Sequence, residues 1–271
     1  MKISNKIKST NLLGLEYRKH KVFRQLTNYD LFYESLSFHI MGWQTHGVFS
    51  ILNLDTYVYS SIQGTLESIK DILAKGRIND AYALLRKYYD STVINVYTNL
   101  YLEDNFNIDN FVVNKIDDWV KGKGTIPEYR IISKYIKDSP KLNTITTLLL
   151  KDERYKKIRK RCNDHTHYNF YHNILINDNQ IFLKNRLGRL DTFLNDIDDV
   201  FIQHFAYIFY INENYMMSSD YIDSLDVDML PEEGSQYWVA HFIQNIFDRV
   251  IKLKRPDIAD EIKNNTMMQL D

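Results

Sequence analysis

The sequence predicts an all-α protein, an antiparallel helical bundle with additional helices at both ends of the chain. Only 9 Gly and 4 Pro occur among 271 residues, so long elements with few interruptions are expected. Apolar side chains recur three and four residues apart in several stretches, which is the period of a buried helix face. Hydrophobic residues make up 44% of the chain and charged residues 25%, as in a globular protein with its own core.

The clearest helix covers residues 54–75. Its apolar face is formed by residues that step by four, three and four positions, Ile62, Leu66, Ile69 and Leu73. Gly76 stands where a helix commonly ends. After a short connection, Asn79 or Asp80 can cap a second helix, whose apolar face runs through Ala81, Leu84, Leu85, Tyr88, Val96 and Leu100. Because the connection is short, these two helices are expected to pack antiparallel.

The later helices are bounded by turn residues and by changes in period. A third helix is expected over residues 108–121, with turns at 122–127 and 139–140. Helical character returns from 142 to about 168. The weak helix formers at residues 144–147 could mark a break, and Asp152 and Glu153 are suited to a fresh helix start. A long amphipathic helix covers 190–208, residues 218–233 have the character of an acidic loop, and helices are expected at 237–252 and 257–263.

The first fifty residues show no clean period, and no Gly/Ser/Pro-rich linker separates domains. We therefore expect an N-terminal extension over residues 1–53 and a helical core over 54–215. The acidic loop and C-terminal helices, residues 216–271, are expected to pack on that core. One helical domain with terminal additions is the resulting prediction.

Charge is segregated along the chain although the net charge is −1. Twelve Asp or Glu and no Lys or Arg lie between Asp191 and Asp248. Between Lys151 and Arg161, seven basic residues stand against two acidic ones. A basic helix face attracts phosphate groups whatever their sequence context, so nucleic acid is the expected partner.

Several features favour a soluble protein of the cytoplasm. No stretch reaches the roughly 18 uninterrupted apolar residues that a membrane span needs, and no apolar run follows the basic start, so neither membrane association nor a secretory signal is expected. The most apolar stretch, residues 200–211, contains Gln203 and His204 and is typical of a buried core helix. The single cysteine, Cys162, cannot form an internal disulfide and is expected to be a packing residue.

Polar side chains with catalytic potential follow the basic stretch directly. Arg161 is succeeded by Asn163, Asp164, His165 and His167. In metal-independent RNA cleavage, the ribose 2′-hydroxyl attacks its own phosphodiester. A base must then accept a proton, an acid must donate one, and a cation must hold the phosphate. Histidine and arginine can supply all three functions without a metal.

The spacing of Arg161 and His167 resembles the signature of the HEPN (higher eukaryotes and prokaryotes nucleotide-binding) superfamily. In that signature, an arginine is followed by four to six residues and then a histidine. The resemblance implies a helical, commonly dimeric ribonuclease of the kind found among bacterial toxins and phage-defence proteins, with the motif in a cleft between subunits. A dimer would also solve a geometric problem, because the two side chains diverge by roughly 120° on a regular helix.

Carried over to this chain, the resemblance implies that Arg161 binds the scissile phosphate and that His167 transfers protons. Asn163 or Asp164 would then orient the histidine. His165 is a competing candidate, because Arg159 and His165 have the same spacing.

The expected substrate-binding residues are the neighbouring cations and one aromatic ring, Arg154, Lys157, Arg159, Lys160 and Tyr168. RNA is the expected substrate, a homodimer the expected assembly, and an antitoxin or other regulatory protein an additional partner. No cofactor and no metal are expected. A metal site made of Asp164, His165, His167 and His172 is less favoured, because residues two apart diverge on a helix.

The alternative is a catalytically silent helical module that binds nucleic acid or a protein through the same basic surface. The two hypotheses differ in one structural feature. Opening of Arg161 and His167 into a shared, solvent-accessible cleft favours catalysis, whereas burial of both in packing or their pairing with structural carboxylates favours the module.

Overall fold

The computed structural model describes residues 12–49, 52–109, 111–179 and 185–271. It confirms the all-α class: within these ranges the regular elements are helices, and β-type pairing is confined to isolated bridges such as that between Gly47 and Val112. No helix in the described part of the chain is long and apolar enough to cross a bilayer.

Four of the described helices have 19 residues or more. They are α2 (Lys21–His39), α3 (Leu54–Ala74), α4 (Ile78–Asn105) and α10 (Arg186–Ile211). The shorter helices are α1 (Gly14–Arg18), α5 (Asn114–Val120), α6 (Tyr129–Asp138), α7 (Asn143–Leu149), α8 (Arg154–Thr166), α9 (Tyr171–Leu175), α11 (Ser219–Asp226), α12 (His241–Ile246), α13 (Lys252–Lys254) and α14 (Pro256–Asn265). Short 3-10 turns occupy Glu213–Met216 and Ser235–Tyr237, and a π-helical turn, Phe247–Ile251, joins α12 to α13.

Among the long helices, α3, α4 and α10 agree with the sequence prediction. The prediction does not include α2, although buried apolar residues recur there three and four positions apart, from Val22 to Leu36.

The shorter helices confirm the prediction in part. A helix start near Asp152 and Glu153 is confirmed, because α8 begins at Arg154, but no break falls at residues 144–147, which lie within α7. The third helix starts later than predicted: Val113 donates its backbone N–H to the carbonyl of Gly47 at 2.6 Å, which a helix beginning at 108 could not allow. The stretch predicted as an acidic loop contains α11, whose first turn carries Asp220 at the end that favours a negative charge.

Contacts divide the chain into two compact units. The first takes the described residues of Met1–Leu31, Ser61–Tyr89 and Glu153–Val200. The second takes those of Phe32–Ser60, Asp90–Asp152 and Phe201–Asp271. The helices α2, α3, α4 and α10 each contribute residues to both units. The sequence-based division into 1–53, 54–215 and 216–271 follows chain order instead and stays a prediction.

The second unit contains a cluster of phenylalanine rings around Phe32. Its ring centroid lies 5.2 Å from that of Phe201, 5.9 Å from Phe205 and 5.8 Å from Phe242. Gln203 and His204 are only 7% and 1% exposed, so the prediction that residues 200–211 form a buried helix is confirmed. A buried imidazole needs hydrogen-bond partners on both nitrogens.

His204 obtains those partners in a chain of buried side chains. The Tyr33 hydroxyl lies 2.6 Å from its Nδ1, and Asn95 Oδ1 lies 2.9 Å from its Nε2. The Asn95 amide nitrogen donates to Asp55 Oδ1 at 2.8 Å, so the Asn95 oxygen must accept from His204. The proton of the neutral ring therefore sits on Nε2, and Nδ1 accepts from Tyr33.

We predict that His204 makes the protein sensitive to mild acid. Burial lowers the pKa of His204 to about 3, whereas an unfolded histidine titrates near 6.5. Between these values the unfolded chain binds a proton that the folded chain does not, so the free energy of unfolding falls as the pH falls. From pH 7 to pH 5 this loss is about 2 kcal/mol.

Urea unfolding followed by circular dichroism should therefore show that His204→Gln loses about 2 kcal/mol less than the wild type over this range. His241→Gln, at an exposed position on α12, is the matched control and should follow the wild type. An equal loss in His204→Gln and wild type would contradict the assignment.

Candidate functional site

The basic stretch forms α8 in the first unit, and its helix period separates a buried face from a cationic one. Tyr155, Ile158, Cys162 and His165 are spaced by three, four and three residues and are all buried. The opposite face exposes Lys156, Lys157 and Lys160. Cys162 is buried and forms no disulfide, as expected for a packing residue.

The end of α8 is a Schellman motif in which a tyrosine occupies the position that glycine usually takes. Asn169 donates its backbone N–H to Asp164 O at 3.0 Å, and Tyr168 donates its backbone N–H to His165 O at 3.4 Å. Tyr168 has φ 49°, in the left-handed region that disfavours side chains with a Cβ atom. His167 and Tyr168 therefore leave the helix axis at a fixed turn, and both side chains are exposed.

Arg161 is held in a two-pronged ion pair with Asp196 of α10. Its Nε donates to Asp196 Oδ2 at 2.7 Å and its Nη2 to Oδ1 at 2.9 Å. The Tyr82 hydroxyl donates to the same carboxylate at 3.3 Å. Burial raises the pKa of Asp196, while Arg161 and Tyr82 act in the opposite direction. The Arg161 side chain remains 36% exposed and keeps three of its five N–H groups for another acceptor.

His165 is built into the interior. Its ring stacks on Tyr82 with centroids 4.1 Å apart and planes 9° apart, and it is 5% exposed. With the Asn79 amide turned so that its nitrogen faces the ring, that nitrogen lies 2.9 Å from Nδ1 and 3.2 Å from the carbonyl oxygens of His165 and Asn173. Burial, followed by the positive charges of Arg189, His172 and Arg161, lowers the pKa of His165 to about 4.

Asn163 and Asp164 are also fixed by neighbours. Arg86 donates to Asn163 Oδ1. Lys160 donates to Asp164 Oδ2 at 2.6 Å and the Asn169 amide to Oδ1 at 2.8 Å. The hydrogen bonds from Lys160 and Asn169 lower the pKa of Asp164. Asp164 is therefore a structural anion at the end of α8.

The other predicted binding residues lie in different surroundings. Lys157 and Tyr168 are exposed, and Lys160 reaches over the Phe170 ring at 5.8 Å. Arg154 pairs with Asp199 at 2.9 Å, and Arg159 is half-buried. Within the described chain, the His167 ring makes no hydrogen bond, ion pair or ring contact, and it does not contact Arg161. No three His, Cys, Asp or Glu side chains of the described residues are arranged to hold a metal ion.

The structure adds residues that the sequence motif did not contain. Asp196 and Tyr82 orient Arg161, and Arg189 of α10 is close enough to act on the charge of His165. The Arg189 Nε is buried without a hydrogen-bond partner. Asp196 lies between Phe193 and Ile197 on a buried helix face. A charged residue in an otherwise apolar helix face needs a partner of opposite charge, and this signal in the sequence could have indicated Asp196. Nothing in the sequence distinguished Arg189.

The chain was compared with protein-family models, with curated proteins and with solved structures, and no match was found in any of the three comparisons.

We predict that the helix end at Tyr168 is strained. Tyr168→Gly and Tyr168→Ala both remove the ring, but only glycine adopts the left-handed conformation without steric cost. The glycine variant should be more stable than the alanine variant by about 1 kcal/mol. Urea unfolding of the two variants measures the difference. Equal stabilities, or a more stable alanine variant, would show that this turn is not left-handed.

Proposed function

We propose that this protein is a metal-independent endoribonuclease of HEPN type whose active site is the end of α8. The observation that carries the proposal is the contrast at this helix end. Arg161, Asn163 and Asp164 are fixed by hydrogen bonds, whereas the His167 ring is exposed and free of partners in the described chain. A proton-transfer site requires an imidazole that the substrate can reach, held beside side chains of fixed orientation.

In the proposed reaction, the ribose 2′-oxygen forms a bond to phosphorus while the bond from phosphorus to the 5′-oxygen breaks. The proton of the 2′-hydroxyl passes to an imidazole, and the 5′-oxygen leaves with a proton from an acid. The products are a 2′,3′-cyclic phosphate and a 5′-hydroxyl. Arg161 stabilises the charge on the phosphate through the N–H groups that Asp196 does not use. His167 is the proton carrier, because His165 is buried and its pKa is low.

The Arg161–His167 motif of a single copy supplies one exposed imidazole, that of His167, while the reaction needs both a base and an acid. We therefore propose a homodimer in which His167 of a second copy provides the other. The surface beside His167 suits such an assembly, because it exposes Tyr168, Phe170, Tyr171 and Ile174 to extents of 48 to 72%. Asp196 is then a positioning residue, which acts through Arg161.

A role as a toxin or phage-defence effector in the cytoplasm, controlled by an antitoxin or other partner protein, belongs to the same proposal. The basic face of α8, with Lys156, Lys157 and Lys160, would bind the RNA backbone.

A non-catalytic module that binds nucleic acid or protein is the second candidate. It is favoured by the pairing of Arg161 with a buried carboxylate and by the packing of His165 against Tyr82. The module predicts salt-dependent RNA binding without turnover.

We expect the purified protein to cleave RNA in the presence of EDTA and to leave 2′,3′-cyclic phosphate ends. His167→Ala should lower the cleavage rate at least ~100-fold, because general acid–base catalysis contributes about that much. His172→Ala, which removes another exposed imidazole of the same region, is the matched control and should retain activity. Mapping of new RNA ends gives the readout. Unchanged cleavage in His167→Ala, or no cleavage by wild type across total RNA, would reject the ribonuclease.

The positioning role of Asp196 has its own test. Asp196→Asn should lower kcat by roughly 10-fold, since it frees the Arg161 guanidinium from its orientation. In an Arg161→Gln background, the same substitution should cause little further loss, because residues that act through one another are not additive. Single-turnover rates of the four proteins form the cycle, and circular dichroism checks that each is folded. If the rate losses of the two single variants instead multiply in the double variant, Asp196 acts independently of Arg161.

A further inference from the structure

A cavity of about 540 Å³ opens in the second unit, and it takes no part in the proposed ribonuclease site. Its volume lies in the usual range for small-molecule sites. The wall residues that the argument uses are Trp43, His46, Asp55, Asn99, Phe106 and Tyr215. They come from the segment after α2, the start of α3, the end of α4 and the turn after α10.

Asp55 forms the floor of this cavity and is surrounded by neutral donors. Its Oδ1 accepts from the Asn95 amide at 2.8 Å and from the Asn99 amide at 3.0 Å. Its Oδ2 accepts from the Tyr215 hydroxyl at 3.1 Å. A carboxylate oxygen accepts two hydrogen bonds, so Oδ2 retains room for one more donor.

The negative charge of Asp55 has no cationic partner in the described chain. No Lys or Arg lines the cavity, and Asp55 forms no ion pair. The nearby imidazole of His204, reached through Asn95, is neutral because burial holds its pKa near 3. Burial raises the pKa of Asp55 to about 6, against the opposing hydrogen bonds of Asn99, Tyr215 and Asn95. A buried, unpaired carboxylate is costly, and a positive ligand would relieve that cost.

The walls above this floor are aromatic. Trp43 and Tyr215 meet edge to face with centroids 5.1 Å apart, and His46 packs against Phe106 at 5.5 Å. Aromatic faces attract cations, and the attraction increases when water is excluded. The acidic residue at the rim, Glu103, is paired with Lys141 at 2.5 Å and is therefore compensated.

We propose that this cavity binds a small organic ammonium ion, whose N–H group donates to Asp55 and whose apolar part packs on Trp43. An uncompensated carboxylate below aromatic walls, with no cation among the lining residues, fits a ligand that brings the positive charge itself. An anion would be repelled by the uncompensated charge of Asp55, and a neutral ligand would leave that charge uncompensated. Because the cavity residues are separate from the α8 motif, this proposal does not depend on ribonuclease activity.

Three probes of nearly equal shape test the sign of the charge. Tryptamine, indole-3-ethanol and indole-3-acetate carry an ammonium, a hydroxyl and a carboxylate on the same ring. Isothermal titration calorimetry at pH 7.5 with the full chain should show tryptamine binding at least ~10-fold more tightly than the alcohol, and indole-3-acetate most weakly. An alcohol or acetate that binds as tightly as tryptamine would overturn the proposal. So would the absence of tryptamine binding at millimolar concentration.

Variants locate the binding. Asp55→Asn keeps the shape of the side chain and should abolish the preference for tryptamine over indole-3-ethanol. Asp104→Asn removes an exposed carboxylate of α4 that does not line this cavity, and it should keep that preference as the matched control. If Asp55→Asn fails to fold by circular dichroism, Trp43→Leu at the half-buried rim should weaken tryptamine binding at least ~5-fold. Unchanged tryptamine affinity in the folded Asp55→Asn or Trp43→Leu protein would place the amine elsewhere and reject the cavity.

Discussion

The arrangement of the candidate site depends on the ion pair between Arg161 and Asp196. A carboxylate on the buried face of α10 would destabilise the fold unless donors surrounded it, and Arg161 and Tyr82 together supply three hydrogen bonds. The same contact sets the direction of the guanidinium. It also holds the Tyr82 ring on which His165 stacks, so one buried carboxylate positions Arg161 directly and supports His165 through Tyr82.

The two units satisfy buried carboxylates in different ways. In the first unit, Asp196 is balanced by a full positive charge. In the second, Asp55 has only amide and phenol donors, which reduce the cost of the charge without cancelling it. Tyrosine meets a similar need elsewhere in the first unit, because its ring fills apolar space and its hydroxyl brings one donor to the interior. Tyr17 donates to the carbonyl of Leu73, and Tyr29 donates to Asp198.

The sequence predicted the helices that are long and strongly periodic, because their buried faces repeat over several turns. It missed α2, the start of α5 and the existence of α11. The start of α5 depends on a contact of Val113, and α11 is a short acidic segment without a strong period. At the candidate site, the motif from Arg161 to His167 could be recognised in the sequence, and Cys162 was expected to be a packing residue. The burial of His165 was not predicted. Asp196, Tyr82 and Arg189 could not be predicted, since their proximity to α8 arises only from packing between distant segments.

The hydrogen-bond chain from Tyr33 through His204 and Asn95 to Asp55 runs in one direction only. Each member donates to the next, and the last is an acceptor that fixes the sense of all the others. Exchange of any one for a residue of opposite polarity leaves its neighbours with two donors or two acceptors face to face. In the evolution of this chain these four positions are therefore expected to change together or not at all.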